Sequence, residues 1–122
     1  MAKILVVDDD KSIIDLMQFI LTREGHTVVI ARDGKAGLKL AQDERPELIV
    51  LDVMMPEMDG ITVTGHLFKD PDLRKIPVLI LTAKGNTREI LELVPNVTLY
   101  MEKPFEPGEF AKNVRKLLNP LA

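Results

Sequence analysis

The amino-acid sequence predicts a single α/β domain: a doubly wound, mainly parallel five-stranded sheet with helices on both faces. Three observations carry this. Five short runs of Val, Ile and Leu recur along the 122 residues. Helix-period patterns fill the intervals between them, and strict strand and helix alternation implies parallel strands joined by right-handed crossovers. The chain is also long enough to bury one continuous core without a disulfide or metal staple.

The elements follow in order. Ile4–Val7 is the first strand. After it Ile13, Leu16, Met17, Ile20 and Leu21 recur at helical spacing, and Gly25 supplies a left-handed stop. Val28–Ala31 is the second strand, and Arg32-Asp33-Gly34 reads as turn chemistry. Ala36, Leu38, Leu40 and Ala41 mark the second helix, which closes before Pro46; Gly37 inside it should cost ~1 kcal/mol against Ala. Leu48–Leu51 is apolar throughout, as suits a strand buried on both faces at the centre of a sheet. The third helix, Ile61–Lys69, carries the weak helix formers Thr62, Val63, Thr64 and Gly65, so tertiary packing must hold it. Val78–Leu81 and Val97–Met101 complete the strands, with a short helix between them on Ile90, Leu91, Leu93 and Val94 that ends before Pro95. The last helix opens with Pro107 and Glu109 and closes with Lys112, Arg115 and Lys116, matching its dipole. Its apolar face is Phe110, Val114, Leu117 and Leu118, and residues Asn119–Ala122 read as a tail.

Composition narrows the function. Hydrophobic residues at 46% and charged residues at 29% describe a globular chain rather than a disordered one. No apolar run approaches the ~20 residues of a membrane span, and Ile4–Val7 is too short for a signal peptide, so a soluble cytoplasmic protein without membrane insertion is expected. With no cysteine, disulfide and thiolate chemistry are excluded, and zinc would have to rely on His26, His66 and carboxylates, which lack ligand spacing. A net charge of -3 with scattered basic residues offers no footprint for direct nucleic-acid binding.

The ends of the strands carry the chemistry. Open parallel α/β sheets bind ligands beyond the carboxyl ends of their strands, where strand order reverses. Here the first strand ends at Asp8-Asp9-Asp10 and the third at Asp52. The fourth ends at Thr82-Ala83, and the fifth runs through Tyr100 and Glu102 to Lys103-Pro104. Strand order 2-1-3-4-5 brings these ends to one rim and leaves the second strand as an edge. Each residue also has a local explanation: Asp10 as a helix N-cap, Asp8 or Asp9 as partners of the same dipole, Thr82 as a turn hydroxyl, Tyr100 as a half-buried strand aromatic, Lys103 as a surface lysine. Independent local causes do not predict agreement across four strand ends. Clustered carboxylates repel unless a cation joins them, and an all-oxygen donor set suits Mg2+, or Mn2+, completed by phosphate oxygens.

With these residues assembled, ILVVDDD, LIVLDVMMPEMDG, VLILTAK and YMEKPF resemble the signature segments of the response-regulator receiver domain, in the family's order. The resemblance covers nearly the whole chain and implies a flavodoxin-like fold. It implies Asp52 as phosphoacceptor, with Asp8, Asp9, Asp52 and the backbone carbonyl of Met54 as metal ligands. It further implies Thr82 as a switch hydroxyl, Tyr100 as a switch aromatic, the Ala83 amide and Lys103 at the phosphate, and a cis Lys103-Pro104 bond. The implied partners are a sensor histidine kinase or phosphotransfer domain, and a downstream protein at the face of the fourth helix, fifth strand and fifth helix. Homodimerisation on phosphorylation is a further implied option. The domain is then a phosphoacceptor rather than an enzyme with turnover, either free-standing or part of a larger regulator. Leu93-Val94-Pro95-Asn96 departs from the family's Gly-Ala pair before the fifth strand, and Lys84 and Met54 flank the expected path of attacking water.

Rival readings meet specific obstacles. An aspartyl phosphatase needs a second carboxylate two residues after its nucleophile, where this chain has Met54. A flavin-binding module would want Ser, Thr or Gly after the first strand, where three aspartates stand. An interaction module without phosphorylation would have no need of the full acidic set.

Overall fold

A computed structural model describes residues 1–53, 60–83 and 99–119. Five parallel strands, β1 (Lys3–Val7), β2 (Thr27–Ala31), β3 (Leu48–Asp52), β4 (Val78–Ala83) and β5 (Leu99–Lys103), form one sheet in the order β2-β1-β3-β4-β5. This is the expected order, with β2 at one edge. All five residues of β3 are buried, as its continuous apolar run predicts.

The strands run further than their apolar runs. Asp52 is the last residue of β3, in register with Leu81, and Ala83 pairs with Lys103 across β4 and β5. Ladder pairing is made by the backbone, so a polar side chain at the sheet's rim does not end it. Several site residues are therefore strand residues rather than loop residues, held by the ladder itself. The fifth strand is described from Leu99; the expected start at Val97 and the short helix around Ile90 lie outside the described residues.

Helix α1 (Lys11–Arg23) is capped by Asp10, whose side chain accepts from the Ser12 and Ile13 amides at 2.9 and 3.4 Å. It ends with Gly25 at φ 91°; the Gly25 amide donates to Thr22 O and the His26 amide to Leu21 O, closing the left-handed stop expected there. Its buried face differs from the expected one at Leu16: Met17 and Leu21 are buried and Ile13 and Ile20 pack partly buried against the core, whereas Leu16 is 36% exposed and Ile14 is buried. Apolar residues crowd both sides of this helix, and period alone permits two phases. Helix α2 (Gly34–Glu44) is capped by Asp33, which accepts from the Ala36 amide at 2.7 Å, so the expected turn is a helix start. Gly37 is buried there, and a Cβ on it would lie 2.8 Å from Val7 Cγ2. The glycine that weakens the helix thus lets it approach β1 closely.

Helix α3 (Gly60–Lys69) buries Val63, Thr64 and Leu67, and a 3-10 turn (Leu73–Lys75) leads into β4. The C-terminal helix (Pro107–Leu118) buries Phe110 and Val114, with Phe105 stacked on Phe110 at 5.2 Å and Leu117 and Leu118 partly buried. Strand alternation sorts the core into two layers. Leu5, Val7, Ile49, Leu51 and Ile80 face Ala41, Val63 and Leu67 of α2 and α3. Ile4, Val6, Leu48, Val50, Leu79 and Leu81 face Met17, Leu21, Phe110 and Val114 of α1 and the C-terminal helix. The sheet is covered on both faces, as predicted.

Candidate functional site

The site is built on strand alternation. Val6, Val50 and Met101 point toward α1 and the C-terminal helix, and Asp8, Asp52 and Lys103 each stand two residues further on, at the same phase. Three strands thereby deliver two carboxylates and an ammonium to one corner of the rim. The Asp8 amide donates to Ala31 O at 3.1 Å, fixing its backbone against the end of β2.

Asp8 is fully buried and Asp52 is 4% exposed, whereas Asp9 is exposed. One ligand atom from each of the three lies within 4.8 Å of the others. Asp8 Oδ1 accepts the Asp10 amide at 2.9 Å, and Asp8 Oδ2 accepts from Lys103 Nζ at 2.9 Å. The same ammonium lies 3.4 Å from Asp52 Oδ2. Burial opposes the charge on Lys103, but its hydrogen bond to Asp8 and the charges of Asp52 and Asp8 outweigh that and raise its pKa above the ordinary lysine value. Three carboxylates against one ammonium leave a surplus of negative charge, which fits a divalent cation with oxygen ligands.

Thr82, 1% exposed, sits beyond Ile80 on β4 at the phase of the opposite layer. Tyr100 pairs with Ile80 in register and packs, partly buried, against that same layer; burial raises its phenol pKa. The rim therefore carries its acids and lysine on one side of the sheet, and its hydroxyl and aromatic on the other.

Residues 4–115 match the family described as the response regulator receiver domain. The chain belongs to that family. The receiver is 45% identical over 117 residues to the alkaline phosphatase synthesis transcriptional regulatory protein PhoP of Bacillus subtilis, covering 95% of this chain and 48% of that protein. It is 40% identical over 119 residues to the DNA-binding dual master transcriptional regulator RpaA of Synechocystis, covering 97% of this chain and 49% of that one. It spans about half the length of these curated relatives. Among solved structures it is similar to the chemotaxis response regulator CheY4 of Vibrio cholerae, with TM-score 0.90, 32% identity, and 97% and 99% of the two chains covered. The receiver domain of a signal transduction histidine kinase from Syntrophus aciditrophicus gives TM-score 0.90 and 32% identity, covering 99% of this chain and 92% of that one. The flavodoxin-like receiver fold is thus shared.

Of the residues singled out in the sequence, the structure brings together Asp8, Asp9, Asp52 and Lys103, and places Thr82 and Tyr100 on the opposite layer of the same rim. The Lys103-Pro104 bond is cis. Ala83 is the last residue of β4. Met54, Lys84 and Leu93-Val94-Pro95-Asn96 lie outside the described residues, as does the fourth helix of the expected output face. One residue close to the site was quoted in its motif but given no role: Gly60, buried at the start of α3, whose amide donates to Val53 O at 3.0 Å. Its contact is set by how the start of α3 packs on the end of β3, which residue spacing does not give.

Proposed function

We propose that this receiver accepts a phosphoryl group onto Asp52 from the phosphohistidine of a sensor kinase or phosphotransfer domain. The observation supporting this is the ammonium of Lys103 set between the carboxylates of Asp8 and Asp52, each from a different strand, with Asp9 beside them. An Asp52 carboxylate oxygen attacks phosphorus, the bond from phosphorus to the donor imidazole nitrogen breaks, and the imidazole keeps the electron pair. The product is an acyl phosphate. Positioning and charge neutralisation dominate such transfers, since the phosphoryl group asks for little other chemistry.

Asp8, Asp9, Asp52 and the Met54 carbonyl would hold Mg2+ or Mn2+, which when bound supplies neutralisation of the phosphoryl oxygens. Lys103 contributes a charge-assisted hydrogen bond to the same oxygens, and the Ala83 amide and Thr82 hydroxyl hydrogen-bond them. The acyl phosphate later hydrolyses within the same pocket, so the domain acts as a self-catalysed phosphoacceptor rather than a turnover enzyme.

Phosphorylation adds ~1.5 to 2 negative charges and three strong acceptors, enough to draw Thr82 toward them. Tyr100, partly buried on the same layer, then shifts toward the buried position, altering the face of the fourth helix, β5 and the C-terminal helix as a population shift. A downstream protein or a second receiver reads that face. A cytoplasmic setting fits such a relay, and among the described residues no helix is long and apolar enough to cross a membrane.

Incubation with a small acyl phosphate and magnesium, followed by intact mass, tests the proposal. A gain of one phosphoryl group that disappears in Asp52→Ala supports it. No gain in the wild-type protein, or steady turnover of many unrelated phosphoesters, would sink it.

A further inference from the structure

We propose that Gly60 is a positioning residue for the Asp52 carboxylate; the inference rests on the phosphoacceptor reading above. A Cβ at Gly60 would lie 2.5 Å from the Asp52 carbonyl oxygen and 2.8 Å from Val53 Cα. Non-bonded carbon atoms rest at about 3.5–4.0 Å, so something must move. The obstructing atoms are backbone, not the end of a side chain that could rotate away.

That backbone is held on two sides. Asp52 is in register with Leu81, and the Val53 amide donates to Leu81 O at 3.1 Å. From the helix side, the Gly60 amide donates to Val53 O at 3.0 Å. Residues 52 and 53 are thus clamped between β4 and the first turn of α3, and the clamp closes only because residue 60 has no side chain. Asp52 is almost wholly buried, with its Oδ2 3.4 Å from Lys103 Nζ and a ligand atom within 4.8 Å of those of Asp8 and Asp9. A displaced Asp52 backbone carries its carboxylate with it, and close packing around the buried side chain leaves little room for a compensating rotation.

Gly65 provides the internal control. It lies in the same helix, is exposed, and a Cβ there meets nothing within 4 Å. A glycine required only for folding would, when replaced, lower stability and leave the folded protein's site unchanged. A positioning glycine changes metal affinity and phosphoryl uptake in the protein that is folded.

The test compares wild type, Gly60→Ala, Gly65→Ala and the double variant. Urea denaturation gives the folded fraction, calorimetric titration with Mn2+ alone gives metal affinity, and intact mass after a small acyl phosphate with saturating magnesium gives the uptake rate. Folded Gly60→Ala is expected to bind the metal about 10- to 100-fold more weakly and to take up phosphate about 10- to 100-fold more slowly, with Gly65→Ala at wild-type values. A folded Gly60→Ala protein matching wild type in both measurements overturns the proposal. So does failure of Gly60→Ala to fold even in the stabilised Gly65→Ala background, which would make Gly60 a folding requirement alone. Wild type that takes up no phosphate defeats the phosphoacceptor reading itself, whereas wild-type uptake that Gly60→Ala leaves unaltered defeats only the role of Gly60.

Discussion

Lys103 donates its shortest hydrogen bond to Asp8, at 2.9 Å, and stands further from Asp52, at 3.4 Å. The fully buried carboxylate takes the ammonium first. Lys103 therefore serves as the counter-charge of the acid that follows β1 as well as a group facing the proposed phosphoacceptor, and the proposed metal would share those acids.

Replacing Lys103 with Met removes that charge from a buried cluster. Because the lysine side chain is itself 24% exposed, the cost should be smaller than for a fully buried pair, about 1–3 kcal/mol without divalent cation. Magnesium should recover more stability in Lys103→Met than in wild type, since it binds the folded state and relieves the same repulsion. Urea curves with and without magnesium check this; equal magnesium effects in the two proteins would contradict it.

His26 gives the fold a dependence on acid. Burial, then the nearby N-terminal ammonium, lowers its pKa below 6.5, while Glu24 and Glu47 pull the other way. Its Nδ1 accepts the Ala2 amide at 3.1 Å, which requires a deprotonated Nδ1. The contribution is complete above the unfolded value of 6.5 and is lost as pH falls through it toward the lower folded pKa. Between about pH 7.5 and about pH 5.5, wild type should lose more stability than His26→Asn, which keeps an acceptor but does not titrate. Parallel losses would remove His26 from the account.

Two helical glycines should respond in opposite directions. Gly65→Ala places a methyl in open space on an exposed helix surface, and should stabilise by about 0.5–1 kcal/mol. Gly37→Ala drives a Cβ to 2.8 Å from Val7 Cγ2, within a fully buried contact, and should destabilise by about 1–3 kcal/mol. Urea midpoints moving in the same direction would contradict the packing described.

Arg45 closes α2 in the left-handed region, at φ 47° and ψ 63°. A side chain there costs about 1–2 kcal/mol, which glycine avoids at some loss of unfolded-state entropy. The exposed Arg45–Asp72 pair at 3.5 Å returns little. Arg45→Gly should therefore raise stability by about 0.5–1 kcal/mol; a fall in Tm would show that the arginine does more than cap.

The strands and the acidic corner were legible because both rest on local signals: continuous apolar runs mark strands, and the residues following them mark the rim. Helix phase was less legible. In α1 the adjacent pairs Ile13-Ile14 and Leu16-Met17 allow two faces, and only the folded structure shows that Ile14 is buried and Leu16 exposed. Gly37 read as a weakness because its benefit lies in Val7, thirty positions away. The preference of Lys103 for Asp8 was invisible for the same reason, whereas the role of Gly60 depends on how closely the start of α3 packs on the end of β3, which residue spacing does not give.

The edge strand offers an experimental handle. Thr27 is exposed at the start of β2, while the acids follow the far ends of the strands, roughly 15 Å along the sheet. The chain contains no cysteine, so Thr27→Cys would give a unique thiol. A fluorophore or spin label attached there can report tumbling, association or distance changes from a position remote from the reactive corner.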